Sequence, residues 1–183
     1  GHTGGTVDKL ESIPGFNTSL SAEDFISQID KVGMAVIGQS GNMTPADKKL
    51  YALRDVTATV DSIPLITSSI MSKKLAAGSH SIVLDVKVGS GAFMKTPESA
   101  RQLAEKMVTI GKKCGRNMAA LMTNMDSPLG FAVGNSLEVI EAGNVLRGKE
   151  EGDLKTVCVA LASEMVSLFK GVSVEEAEKQ VEE

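Results

Sequence analysis

One stretch of the chain, residues 81–122, limits the fold more than any other. Ser81–Val88 (SIVLDVKV) has the composition of a buried strand, and the glycine-rich loop Gly89–Met94 follows it directly. Thr96–Cys114 has the spacing of an amphipathic helix, and Met118–Met122 is another apolar strand. Strand, loop, helix and strand in this order are typical of an α/β sheet. Ligands of such sheets bind beyond the carboxyl ends of the strands, so this loop is a candidate binding site.

A second glycine-rich loop, GHTGGT, occupies residues 1–6 and runs into a segment of helical character. Its glycines allow close approach of the backbone to a ligand, and unpaired N–H groups at a helix start favour phosphate. A tight turn without a ligand is the alternative, because the spacing matches neither the dinucleotide fingerprint nor the P-loop. His2 is either a structural donor or a general base. Since no strand precedes the loop, we expect the chain to be a piece of a longer protein.

The rest of the chain is mainly helical by its pattern. Val32–Ile37 (VGMAVI) predicts a short buried strand that ends at Gly38, and residues 39–45 predict a loop that could act as a hinge. Helices are predicted over 21–29 with Ser21 as N-cap, from Pro45 through Tyr51, over 57–75 with an interruption near Pro64, within 130–142, over 153–169 and from 174 onward.

Composition excludes several classes of partner. The net charge of −4 argues against a nucleic-acid surface, and 3% aromatic residues leave few stacking platforms for single strands. No apolar run approaches the roughly 20 residues of a membrane span. Cys114 and Cys158 lack metal-ligand spacing and are interpreted as two reduced core thiols. We therefore expect a cytoplasmic protein that binds neither nucleic acid nor membrane.

Polar side chains stand within apolar stretches near the middle of the chain. Ser69 and Lys73 are four residues apart and share a helix face among isoleucines and methionines. They could form, with Arg54, a cluster that hydrogen-bonds a small planar ligand; alternatively the lysine simply extends to water. Arg54 and Asp55 could be a plain ion pair, or Asp55 could orient the guanidinium.

Two further sets of charges allow a structural or a functional interpretation. Asp85 and Lys87 alternate on one strand and so share a face, which predicts that they are paired or lie close to a site. Glu141 follows the open loop 129–134. It is either a solvated side chain or, together with loop carbonyls, a cation ligand.

Four long segments resemble the pyrimidine nucleoside phosphorylase and thymidine phosphorylase family. They read GHTGGTVDKLESIPGF, YALRDVTATVDSIPLITSSIMSKKLA, DVKVGSGAFMKT and SPLGFAVGNSLEVIEA, and they span residues 1 to about 142. The details are most similar to bacterial pyrimidine nucleoside phosphorylases. The resemblance implies a glycosyltransferase of nucleoside salvage, in which phosphate attacks C1′ of a pyrimidine nucleoside and releases the base and a pentose 1-phosphate.

The resemblance also implies roles for particular residues in binding the base. Arg54, Ser69 and Lys73 correspond to the base-binding and catalytic positions, and Tyr51 and Phe93 line the base pocket. Negative charge develops on the departing pyrimidine, and cationic donors near its carbonyl oxygens stabilise that charge more in the transition state than in the ground state.

For the phosphate and for a cation, the resemblance implies sites outside this cluster. Thr6 belongs to the phosphate site. A potassium ion is expected between the loop carbonyls of Leu129 and Ala132 and the carboxylate of Glu141. No organic cofactor is implied, because inorganic phosphate is the co-substrate.

The implied architecture has two lobes and forms a homodimer through the smaller one. Residues 1–40 and 80–183 would belong to a large α/β lobe with a mixed sheet flanked by helices, and 44–79 to a small all-helical lobe. The family's upstream Lys-His-Ser segment and its C-terminal domain are absent, so we expect residues 1–183 alone to be inactive. The alternatives are a transferase of the anthranilate phosphoribosyltransferase type and a non-catalytic nucleotide-binding module.

Overall fold

The computed structural model describes residues 5–38 and 44–183, which form eight helices and two strands. His2, Thr3 and residues 39–43 of the predicted hinge loop 39–45 lie outside the described residues. In chain order the elements are α1 (Thr6–Glu11), α2 (Ala22–Val32), α3 (Pro45–Val56), α4 (Ile63–Ala76), β1 (Ser81–Val88), α5 (Pro97–Lys113), β2 (Asn117–Asn124), α6 (Asn135–Leu146), α7 (Asp153–Lys170) and α8 (Val174–Glu182).

The described residues divide into two compact units. The first comprises 5–38 and 130–152, and the second comprises 44–129 and 153–183. The units are defined by contacts within this chain. The assignment of residues 1–40 and 80–183 to one lobe and of residues 44–79 to another stays a prediction.

In the first unit, α1 packs against α6, and an ion pair between Lys9 and Glu138 joins the two helices. The hydrogen bond from Lys9 holds the pKa of Glu138 below its usual value. Helix α2 begins as predicted at Ser21, whose hydroxyl accepts the backbone N–H of Asp24 at 3.1 Å.

The second unit contains the predicted strand, helix and strand. Strands β1 and β2 pair in parallel, from Ser81 opposite Asn117 to Val88 opposite Asn124. Helix α5 connects them and packs on both strands. Among the described residues the expected mixed sheet is therefore represented by one parallel pair, and the α/β class is confirmed.

The core of this unit lies where α5 meets the sheet. Leu103 and Met107 are buried on the predicted face of α5, and Ile110 packs beside them. The other buried apolar side chains of this core are Ile66, Met71, Ile82, Leu84, Val86, Met94, Ala100, Ala104 and Met118.

The glycine loop after β1 contacts the residues that follow β2, at the carboxyl ends of both strands. Gly89 has a φ of +135°, and a Cβ there would lie 2.6 Å from Asp126 Oδ1. The backbone N–H of Ser90 donates to the same oxygen at 2.7 Å. Only glycine at 89 permits this close approach, because any side chain would meet both strain and overlap.

Two predicted element boundaries are wrong. Helix α2 continues to Val32 and ends at Gly33, which has a φ of +84°, and residues 34–38 form no strand. The apolar run 32–37 therefore belongs partly to a helix end. The predicted helix over 57–75 starts only at Ile63, because Pro64 stands in the first turn of α4, where proline is tolerated, rather than interrupting a longer helix.

The prediction of two core thiols is also wrong. Cys114 and Cys158 are free, and both are exposed. In the described ranges no single helix has the length and hydropathy of a membrane span, whereas α7 and α8 together meet these criteria only as a pair bent by 118°.

Candidate active site

Helices α3 and α4 of the second unit bring five polar side chains together. On α3, Asp47, Tyr51 and Arg54 follow one another at i, i+4 and i+7, which places them on one helix face. On α4, Ser69 and Lys73 are likewise one turn apart. We refer to these five residues as the Arg54 cluster.

Lys73 is the centre of the contacts in the Arg54 cluster. Its Nζ donates a hydrogen bond to Ser69 Oγ at 2.9 Å and lies 2.5 Å from Asp47 Oδ2. The second contact is an ion pair. Lys73 Nζ and Arg54 Cζ also lie 5.4 and 5.1 Å from the centroid of the Tyr51 ring, within cation–π range.

Arg54 is buried in an unusual way for a cation. Only 6% of the residue is exposed, and within the described residues its Nε has no hydrogen-bond partner. A buried donor without an acceptor is unfavourable, and more so when it is charged. An acceptor on a ligand at this position would satisfy the buried Nε.

A cavity of about 220 Å³ lies beside these side chains. A few convergent polar groups in an otherwise apolar wall are typical of a small-molecule site. The lining combines Asp47, Tyr51, Arg54, Ser68 and Ser69 with Leu50, Leu53, Leu65, Thr57 and Thr59.

Asp47 is ionised within the cluster. Burial by itself raises the pKa of its carboxyl, but hydrogen bonds from Lys73 and Ser69 and the charges of Lys73 and Arg54 together lower it by more. The pKa therefore lies below the ordinary value of 3.8. At neutral pH the five side chains carry two positive charges and one negative charge.

The lowered pKa of Asp47 predicts a loss of stability in acid. A carboxyl whose pKa is lower in the folded state stabilises the fold fully above its unfolded-state pKa, and this contribution is lost as pH falls through the folded-state pKa. We expect Asp47→Asn to lower the free energy of unfolding near neutral pH. The difference from wild type should shrink below a pH of about 3.8. Denaturant unfolding at several pH values measures this, and a difference that persists unchanged in acid would contradict it.

The structure places Phe93 in a different cavity. Phe93 is 56% exposed and lines a space of about 480 Å³ with Ile66 and Ile70 of α4. It does not line the cavity beside Arg54. Its contact with a base stays a prediction.

Asp85 and Lys87 line that second cavity too, and they are paired as predicted. Asp85 Oδ2 lies 2.8 Å from Lys87 Nζ. Thr123 of β2 donates to Asp85 Oδ1 at 2.5 Å and accepts from Lys87 at 2.9 Å. The pairing satisfies both charges within the sheet.

Thr6 is an exposed residue at the start of α1, in the first unit. The adjacent Gly5 donates its backbone N–H to Asp8 Oδ2 at 2.7 Å, so this donor is already occupied. The role of Thr6 in binding phosphate stays a prediction.

Glu141 is buried rather than solvated, with 7% exposure. Its two carboxylate oxygens accept the backbone N–H groups of Phe131 at 2.6 Å and Ala132 at 3.2 Å. A Cβ at Gly130 would lie 2.3 Å from Glu141 Oε2, so a larger residue there would require the Glu141 carboxylate to move. Leu129, the remaining predicted ligand, belongs to the second unit.

In the described part of the chain, no three His, Cys, Asp or Glu side chains lie close enough together to hold a metal ion. A potassium site built on one carboxylate and backbone carbonyls would not form such a group. The potassium ligands therefore stay a prediction.

The sequence analysis did not single out Asp47, which lies within the predicted helix from Pro45 through Tyr51. The available signal was its spacing from Tyr51 and Arg54, which puts all three on one face of α3. The side chain of Asp55, the predicted orienting partner of Arg54, lies outside the described part of the chain.

A comparison with known protein families agrees with the α/β fold. Residues 1–183 match the model of the glycosyl transferase family, a/b domain, and the chain belongs to this family.

Individual relatives give a more specific comparison than the family model does. The chain is 57% identical over 183 residues to a pyrimidine-nucleoside phosphorylase of Geobacillus stearothermophilus and 58% identical over 184 residues to one of Bacillus subtilis. It is 59% identical over 181 residues to one of Staphylococcus haemolyticus. These alignments cover 99–100% of the chain, which spans about 42% of the length of these curated relatives.

Proposed function

We propose that the whole protein is a pyrimidine-nucleoside phosphorylase and that the Arg54 cluster binds the pyrimidine base. The observation that carries the proposal is the buried Nε of Arg54, which has no acceptor among the described residues and lies beside a cavity of about 220 Å³. A pyrimidine carbonyl oxygen is an acceptor of suitable size and polarity. The names of the curated relatives support the same reaction.

The reaction balances without an organic cofactor. A phosphate oxygen forms a bond to C1′ of the nucleoside while the C1′–N1 bond breaks, and the electron pair of that bond passes to the base. Arg54 and Lys73 stabilise the resulting negative charge through the carbonyl oxygens of the base, and Ser69 hydrogen-bonds its imide edge. Because the cluster carries one net positive charge, its attraction for the base grows as the bond breaks.

Phosphate and a cation have separate sites in this proposal. Thr6 contacts the phosphate, supported by its position at the opening of α1 beside the glycine loop. The Glu141 carboxylate, with the carbonyl of Ala132 in the same unit, holds potassium. The described hydrogen bonds of this buried carboxylate come from neutral N–H groups, and a monovalent cation would add an opposite charge beside it. When bound, the ion would fix the loop before α6.

We also propose that the whole protein is a cytoplasmic homodimer. Two free cysteines are consistent with a reducing compartment. Exposed apolar side chains on α3, such as Leu53 and Val56, support a subunit contact there.

The function is tested by incubating the whole protein with uridine or thymidine, with and without inorganic phosphate. We expect phosphate-dependent release of uracil or thymine, together with an equal amount of ribose or deoxyribose 1-phosphate, measured by chromatography. Turnover of anthranilate with phosphoribosyl pyrophosphate instead would indicate the related transferase. Calorimetric binding of thymine and phosphate without turnover would indicate a binding module.

A further inference from the structure

Asp47 is the one residue of the Arg54 cluster that the resemblance leaves without a role. It is 9% exposed, and its carboxylate lies between the helix that carries Arg54 and the helix that carries Lys73. It cannot stabilise negative charge on a leaving base, because it is itself an anion at neutral pH. Its contribution must therefore act through the cations beside it.

The contacts identify Lys73 as the group through which Asp47 acts. A lysine side chain has four rotatable carbon–carbon bonds, and a partly exposed ammonium without such contacts would extend to water. Here Asp47 lies 2.5 Å from Lys73 Nζ, Ser69 accepts from it at 2.9 Å, and the Tyr51 ring lies beneath it. Three contacts from two helices hold the ammonium in one place.

We propose that Asp47 is a positioning residue that holds the Lys73 ammonium beside Ser69, which lines the base cavity, in the orientation needed for departure of the base. This inference rests on the proposed function. It assigns to Asp47 no contact with substrate and no proton transfer. Displacing a charge-stabilising group by about 1 Å can lower a rate by about 100-fold, so the positioning contact has a measurable kinetic effect.

A purely structural role is the competing explanation. Asp47 stands in the first turn of α3, where a carboxylate also stabilises the partial positive charge of the helix start. A structural role predicts a less stable protein whose folded fraction has normal kinetics. The positioning role predicts altered kinetics in folded protein.

The first test measures phosphorolysis by Asp47→Asn in the whole protein. We expect kcat to fall about 10- to 100-fold with little change in KM, because the lost interaction is made mainly in the transition state. Asp30→Asn is the matched control, since Asp30 is an exposed helical aspartate outside the cluster. Asp47→Glu keeps the charge and should restore most of the rate. An unchanged kcat in Asp47→Asn, or equal losses in Asp47→Asn and Asp47→Glu, would overturn the proposal.

The second test is a double-mutant cycle with Lys73→Gln. If Asp47 acts through Lys73, adding Asp47→Asn to Lys73→Gln should change kcat by less than about twofold. If the added substitution again costs 10- to 100-fold, Asp47 does not act through Lys73. The cycle also works when Asp47→Asn is less stable, because circular dichroism and active-enzyme titration normalise each variant to its folded fraction.

Failure of the proposed function can be distinguished from failure of the positioning role of Asp47. A wild-type protein that releases no base from any pyrimidine nucleoside would refute the function before any variant is compared. An active wild type with an unaffected Asp47→Asn would refute only the positioning role.

Discussion

Replacing Arg54 with alanine in the whole protein should lower kcat for phosphorolysis by at least about 10²–10³-fold, and Lys73→Ala should have an effect of the same size. Both side chains are preorganised beside the cavity, and Arg54 is buried with an unpartnered Nε within the described residues. Such donors need no reorganisation when charge develops on the base. Removing one therefore raises the barrier of the chemical step more than it weakens substrate binding.

The measurement is steady-state release of uracil from uridine at saturating phosphate. Arg101→Ala is the matched control, because Arg101 is an exposed arginine on α5 that does not line the cavity beside Arg54. It should retain the wild-type rate. Near-wild-type turnover by either Arg54→Ala or Lys73→Ala would contradict the assignment of the site.

The largest effect on stability is expected from Met107→Ala. Met107 is 2% exposed, and it packs on the sheet within the core of the second unit. The substitution removes apolar contacts and leaves a cavity, which together cost about 2–5 kcal/mol of unfolding free energy. The rigid walls of β1 and α5 limit how far the neighbouring side chains can collapse into the space.

Denaturant unfolding of the whole protein, followed by circular dichroism, measures this loss. Met165→Ala is the control, because Met165 is 53% exposed on α7 and its substitution should change stability by no more than about 0.5 kcal/mol. Equal midpoints for Met107→Ala and wild type would show that the core is not packed as described.

Much of the second unit could be predicted because its signals are local. The alternation in Ser81–Val88 and the helical spacing in Thr96–Cys114 each give the element one apolar face. The two apolar faces are buried when the helix packs on the strand. The structure confirms both elements to within a residue. The contact between Ser69 and Lys73 is equally local, because the two residues are one helical turn apart.

The predicted strand at residues 32–37 was wrong because a short apolar run fits either a strand or the end of a helix. VGMAVI has the composition of a strand, but a strand needs a neighbouring strand, and its first residue instead completes α2. The exposure of Cys114 and Cys158 likewise depends on which helix faces are covered, which no local pattern specifies.

By itself, the sequence determined the class of fold, two strands with the helix that connects them, and the residues from which a cationic site could be built. Periodicity and glycine placement act over a few residues, so they are readable along the chain. Only the tertiary structure decided that Asp47 pairs with Lys73 across two helices and that Glu141 is buried against the backbone of its own loop. Both depend on distances between elements, and a carboxylate's partner is set by which element packs beside it.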